Sequence, residues 1–189
     1  MNGEMNTTRK TAASLPGPSG TARAASASAV APRARGWLVR EAAAEDAEAV
    51  AGAVRALLVE LDGAPHGAEA MERAARAVIE SPSAGVVLLA QADVGGELVG
   101  VLAASWQVAI HVPGEYALIQ DLWVERAWRG QRVGAALLDA LFELARAKHA
   151  RRVEVGLPRE SFASFAATEA FYLGNGFEVN GPRMRLLLP

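Results

Sequence analysis

The segment Asp121-Leu122-Trp123-Val124-Glu125-Arg126-Ala127-Trp128-Arg129-Gly130-Gln131-Arg132-Val133-Gly134-Ala135 concentrates residue types suited to holding an anion. An apolar strand runs into a short Arg/Gly loop, and the loop runs into an amphipathic helix. At such a junction the first backbone N–H groups of the helix have no intrahelical partner, and with the helix dipole they favour negative charge. Arg129 and Arg132 add positive charge nearby. Gly130 suits a positive φ in the loop, and Gly134 would let a ligand's phosphates approach the backbone closely. The expected chemistry is binding of a phosphate-bearing ligand, against the plainer alternative of a helix entry with an Arg-rich surface loop.

Two familiar phosphate loops do not fit. A Walker A loop needs a Lys and a Ser/Thr hydroxyl after its second Gly, and both are missing here. A dinucleotide loop needs three glycines spaced G-x-G-x-x-G, which Gly130 and Gly134 do not supply. Gln131-Arg132-Val133-Gly134-Ala135-Ala136 instead satisfies a Gln/Arg-x-x-Gly-x-Gly/Ala signature. Placed after Leu118-Ile119-Gln120-Asp121-Leu122-Trp123-Val124 and before a Leu-rich helix, it resembles the loop of the GNAT superfamily of N-acetyltransferases. A second segment, Thr168-Glu169-Ala170-Phe171-Tyr172-Leu173-Gly174-Asn175-Gly176-Phe177-Glu178, is similar to that superfamily's closing motif, a short helix carrying Phe-Tyr that ends before Gly-Phe. Asn175 and Gly176 suit a left-handed helix end, and Phe177 a strand start. The resemblance covers roughly residues 37 to 188.

That resemblance implies acetyl-CoA as cosubstrate and no metal. It implies that Arg129, Gly130, Gln131, Arg132, Val133, Gly134 and Ala135 hold the pyrophosphate. It also implies that the strands on either side of the loop and its helix splay apart, so that backbone groups of Leu122, Trp123 and Val124 bond the pantetheine arm and the thioester oxygen. Tyr172 matches the usual general acid, and a phenol with a pKa of about 10 can donate near neutral pH; packing beside Phe171 as core is the alternative. The base departs from the pattern, because Gln120 stands where many relatives have glutamate and a glutamine cannot accept a proton. Asp121, or Glu115 through an ordered water, is expected to substitute, since a charge inside an apolar strand must be paired or used. Alternation along the strand sets Asp121 on the opposite face from Gln120.

These groups need a scaffold, and apolar periodicity outlines one. It predicts strands over 37–40, 86–90, 98–106, 116–124 and 152–156, with helices over 45–61, 68–80 and 162–173. Val133, Ala136, Leu137, Ala140, Leu141 and Leu144 give the phosphate-loop helix one apolar stripe. A terminal hairpin is expected from 177–179 and 184–188 through Gly181-Pro182. The order is that of an α+β fold, a GNAT-type mixed, mostly antiparallel sheet with helices on both faces.

Composition bounds the rest. With 189 residues and 51% hydrophobic content, one domain with an appendage is expected. Residues 1–36 carry five basic side chains against Glu4, a net +4, whereas 37–189 carry 14 basic and 20 acidic ones, a net −6. The first part, rich in Ala, Ser, Pro and Gly, reads as a disordered leader, with an organellar transit peptide as the alternative. No cysteine is present, which removes disulfides and a thiol nucleophile. Arg over Lys and abundant Ala suggest a GC-rich genome and a cytoplasmic bacterial protein. No apolar run reaches a membrane span, and the acidic folded part disfavours nucleic acid. His66, His111 and His149 lack metal-ligand spacing, and Trp106, Trp123 and Trp128 default to core. The expected function is acetyl-CoA-dependent acetylation of a primary amine by direct transfer in a ternary complex. The acceptor is expected to be a cationic small molecule such as a polyamine or aminosugar, and a homodimer is left open. A non-catalytic acyl-CoA-binding regulatory module of the same fold is the competing class.

Overall fold

The computed structural model describes residues 36–181 and 186. Gly36 and Leu186 apart, the expected leader over 1–36 and the strand expected over 184–188 lie outside the described residues. The elements are β1 (Trp37–Glu41), α1 (Ala47–Glu60), α2 (Ala68–Ile79), β2 (Gly85–Ala92), β3 (Leu98–Ala109), β4 (Val112–Val124), α3 (Val133–Ala147), β5 (Val153–Val155) and α4 (Phe165–Gly174). The five strands lie in sequence order, β1 to β4 antiparallel and β5 parallel to β4. This is the mixed, mostly antiparallel sheet expected. No described helix is long and apolar enough to cross a membrane.

Each face of the sheet has its own core. On one, α3 buries Val133, Leu137, Leu138 and Leu141 against Leu88, Val99 and Leu102. Leu137, Leu138 and Leu141 are wholly buried, each contributing about 1.5–3 kcal/mol by removal from water. On the other face, Val50 and Ala53 of α1 pack on Val87, Leu89, Val101 and Trp123. The start of α1 is pinned by Asp46, which accepts two 2.7 Å bonds from Arg40 and one from the Ala43 N–H. The Arg40 guanidinium holds the Asp46 carboxyl below its ordinary pKa, against the opposing effect of burial.

One residue breaks the strand alternation of β4. Ala103 pairs with Asp121 but Ala104 pairs with Ile119, so Gln120 is an extra residue, a β-bulge. Before it Ala117 and Ile119 face α3; after it Leu122 and Val124 do so, and Trp123 joins the opposite core. The Gln120 amide reaches Ser105, which shares its face with Val101 and Ala103, and Asp121 also lies on that side. The bulge therefore corrects the simple alternation, which set Gln120 and Asp121 on opposite faces.

The hairpin expected from 177–179 and 184–188 has its second strand outside the described residues, and what the described residues show at 177 is a helix end. Residues Tyr172 to Phe177 close α4: Gly176 sits at φ 86°, its N–H bonds Leu173 O, and the Phe177 N–H bonds Tyr172 O at 3.1 Å. The Phe177 ring turns back onto Phe142 and Tyr172, so the residue also serves the helix end.

Gly100 sets how closely α3 approaches the sheet. A Cβ there would lie 3.0 Å from Val133, 3.1 Å from Leu137 and 3.3 Å from the Trp123 carbonyl. Gly100→Val should therefore cost about 1–3 kcal/mol through overpacking, read as a lower urea midpoint with an unchanged slope.

Candidate active site

The loop before α3 is shaped by two left-handed residues. Gly130 has φ 75° and Arg132 φ 66°, the latter at a cost of roughly 1–2 kcal/mol for a side chain with a Cβ. Helix hydrogen bonding begins with Ala136 N–H to Arg132 O, so the N–H groups of Val133, Gly134 and Ala135 have no acceptor among the described residues. They form the donor set expected at an anion-binding helix start.

The flanking side chains mostly tie the loop down. Arg129 grips Glu60 at the end of α1 with two bonds of 2.7 and 2.8 Å, and its Nε donates to Val124 O at 2.8 Å. The Trp123 Nε1–H donates to the same Glu60. Burial pushes the Glu60 carboxyl up, yet bonds from Arg129 and Trp123 and the nearby Arg126 charge bring it below its ordinary pKa. The cation that Glu60 holds is the chain's own Arg129. Gln131 Nε2 donates to Ala127 O at 2.9 Å, while the Arg132 side chain is exposed. Gly134 has a reason other than ligand approach: a Cβ there would stand 3.2 Å from the Phe171 ring.

Beyond the loop, β5 pairs with β4 only from Ala117 to Ile119. Gln120 to Val124 continue past the end of β5, leaving that edge without a strand partner among the described residues. Backbone groups of Leu122, Trp123 and Val124 thus lie on the run of β4 where the strands part.

Tyr172 approaches this region from the α3 face. It is 7% exposed and stacks edge-on against Phe171 and Phe177. Phe171 in turn packs on Gly134, itself in contact range of Val124. The Tyr172 hydroxyl has no hydrogen-bond partner among the described residues, yet it is not sealed from solvent. Burial pushes the phenol up to about 12.

Asp121 stands on the other face, at a cavity of about 160 Å³ between the sheet, α1 and α2. It is the one polar side chain among the lining residues, which include Val50, Val54, Met71 and Val87. It makes no ion pair or side-chain hydrogen bond among the described residues, and burial pushes its carboxyl above the ordinary aspartate range. Gln120 is spent otherwise: its amide donates to Ser105 Oγ at 2.9 Å, as does that of Gln107. Glu115 is not brought to this place. It pairs with Val108 near the β3–β4 turn, six residues from Asp121 and so roughly 20 Å away along the strand. His111 lies in that turn beside Arg152, and His66 in the exposed α1–α2 loop.

The cavity and the bulge were not read from sequence. Two successive polar residues, Gln120 and Asp121, within an apolar run were the available signal. The spacing between α1 and α2, whose lining residues run from buried Val50 to half-buried Met71, offered none.

Two measurements check this geometry. Glu60→Ala should release Arg129 and speed tryptic cleavage between 126 and 132 by up to about fivefold, the scale of a half-exposed ion pair; an unchanged rate contradicts the anchoring role. Of the two tyrosines, one should ionise at about 12 in an ultraviolet absorbance titration, and Tyr172→Phe should abolish that step. Folding raises this pKa above the ordinary value of about 10, so its stabilising contribution is whole below pH 10 and fades as pH climbs through about 12.

Comparisons with known proteins place these features. Residues 51–177 match the model of the acetyltransferase (GNAT) family. A possible acetyltransferase from Clostridium difficile 630 superposes with a TM-score of 0.67 at 14% identity, over 81% of this chain and 98% of its own. A ribosomal-protein-alanine N-acetyltransferase from Brucella melitensis biovar Abortus 2308 gives 0.63 at 15% identity, over 81% and 99%. An aminoglycoside acetyltransferase from an uncultured soil metagenomic sample gives 0.62 at 22%, over 81% and 99%. No curated protein matches the sequence significantly. The family match spans the open edge of β4, the loop with its helix start, and Tyr172, and the chain belongs to the acetyltransferase (GNAT) family.

Proposed function

We propose that the protein is an acetyl-CoA-dependent N-acetyltransferase acting on a primary amine of a small molecule, by direct transfer in a ternary complex. Family membership supports acyl transfer in general. The observation that carries the finer reading is Asp121, an unpaired carboxylate in an apolar cavity beside the open edge of β4. A non-catalytic acyl-CoA-binding module of the same fold has no use for such a group, whose burial costs free energy unless it is neutralised or engaged.

The residues at the loop fit acetyl-CoA. Free N–H groups of Val133, Gly134 and Ala135, the left-handed Gly130 and the exposed Arg132 suit a pyrophosphate, and nothing would meet a Cβ at Gly130 within 4 Å. When bound, acetyl-CoA supplies the thioester, whose C–S bond breaks as the acceptor nitrogen forms a new N–C bond to the acetyl carbon. Asp121 takes the proton that the nitrogen sheds, and its raised pKa strengthens it as a base near neutral pH. Tyr172, still a phenol at that pH, gives its proton to the departing sulfur. Solvent then restores both groups. Alternation turns the Trp123 N–H to β3, where Trp123 pairs with Val101, and leaves the N–H groups of Leu122 and Val124 on the free edge to stabilise charge developing on the thioester oxygen; a donor in that role is worth about 2.7–4 kcal/mol.

The two carriers of protons flank β4 from opposite faces of the sheet, and each can be removed without disturbing a bond. Asp121→Asn and Tyr172→Phe should each lower kcat by about 10²–10⁴ in a CoA-release assay, while thermal midpoints hold. For Asp121→Asn the midpoint should hold or rise, because an unpaired buried carboxylate opposes folding. Full activity in either variant removes that residue from its role.

A further inference from the structure

Resting on that acyl-transfer reading, the cavity at Asp121 also describes the body of the acceptor. Its walls are aliphatic: Val50 and Val54 from α1, Met71, Ala75 and Val78 from α2, and Val87 from β2. No residue of α2 is fully buried, and Met71, Ala75 and Val78 stay half-buried. Arg76 anchors the helix by donating to Ala44 O at 3.0 Å, so α2 spans the gap without collapsing into it. The apolar stripe of α2 thus faces about 160 Å³ of space that a carbon body of matching size would fill.

We propose that the acceptor is a small primary monoamine with an apolar body, alkyl or arylalkyl. One carboxylate meets one nitrogen, and the aliphatic walls hold no partner for a second ammonium or for sugar hydroxyls. This replaces the polyamine or aminosugar that net acidity suggested. That net charge is a property of the whole folded part, whereas the cavity carries only Asp121 among otherwise uncharged lining residues. The apolar walls disfavour the ammonium form while the Asp121 carboxylate favours it, and passage of a proton to Asp121 leaves the neutral amine that attack on a thioester needs.

The test is a CoA-release assay on the full chain with acetyl-CoA and a panel of propylamine, pentylamine, 2-phenylethylamine, putrescine and glucosamine. Pentylamine should exceed putrescine and glucosamine in kcat/KM by about tenfold or more. From propylamine to pentylamine the value should rise by roughly fourfold per methylene until the cavity is full. Met71→Ala, which keeps the carboxylate and enlarges the cavity, should move the preference toward 2-phenylethylamine. Faster turnover of putrescine or glucosamine overturns the acceptor class and leaves acyl transfer standing. No release from any amine, with acetyl-CoA still bound, overturns both.

Discussion

A single inserted residue in β4 sets the layout of this molecule. Without the bulge at Gln120, strict alternation from Ile119 would direct Asp121 into the α3 core and Leu122 toward α1 and α2. A carboxylate would then be buried among leucines and two apolar side chains turned away from their core. The bulge shifts the phase of everything after it, so Leu122 and Val124 reach the α3 side while Asp121 and Trp123 reach the other. The same stretch of β4 outruns β5, whose pairing ends at Ile119. Strand parting, change of phase and arrival of a carboxylate coincide within three residues.

Around that point the structure separates holding from reacting. Glu60, Arg129 and Gln131 fasten the loop to α1 and to its own backbone, so that the Gly130 and Arg132 conformations persist and the helix start stays open. Gly134 and Gly100 remove side chains where α4 and the sheet crowd α3. The groups left unengaged, the Asp121 carboxylate and the Tyr172 hydroxyl, are those that chemistry would use. Burial raises both pKa values, which keeps the phenol protonated and strengthens the carboxylate as a base.

Much of this was legible in the sequence. The stripe from Val133 to Leu144 located α3, Gly130 and Gly134 located the loop, and Asn175-Gly176 located the end of α4, because helix periodicity and caps are local properties. The bulge escaped, since strand pairing is a relation between β3 and β4 that neither strand states alone. Glu115 and Asp121 looked interchangeable as bases until the strand set them roughly 20 Å apart. Gly134 and Arg129 were assigned to a ligand from residue type, whereas their contacts are with Phe171 and Glu60 in the fold itself. The cavity depends on how far α2 stands from the sheet, a tertiary distance with no sequence pattern.

The most direct test of the central claim is a crystal structure of the full chain with CoA and pentylamine. The account predicts the amine nitrogen within about 3.2 Å of an Asp121 carboxylate oxygen, its carbon chain between α1 and α2, and the pyrophosphate on the N–H groups of Val133 to Ala135. A pentylamine seated elsewhere, with Asp121 still facing no nitrogen, would contradict it.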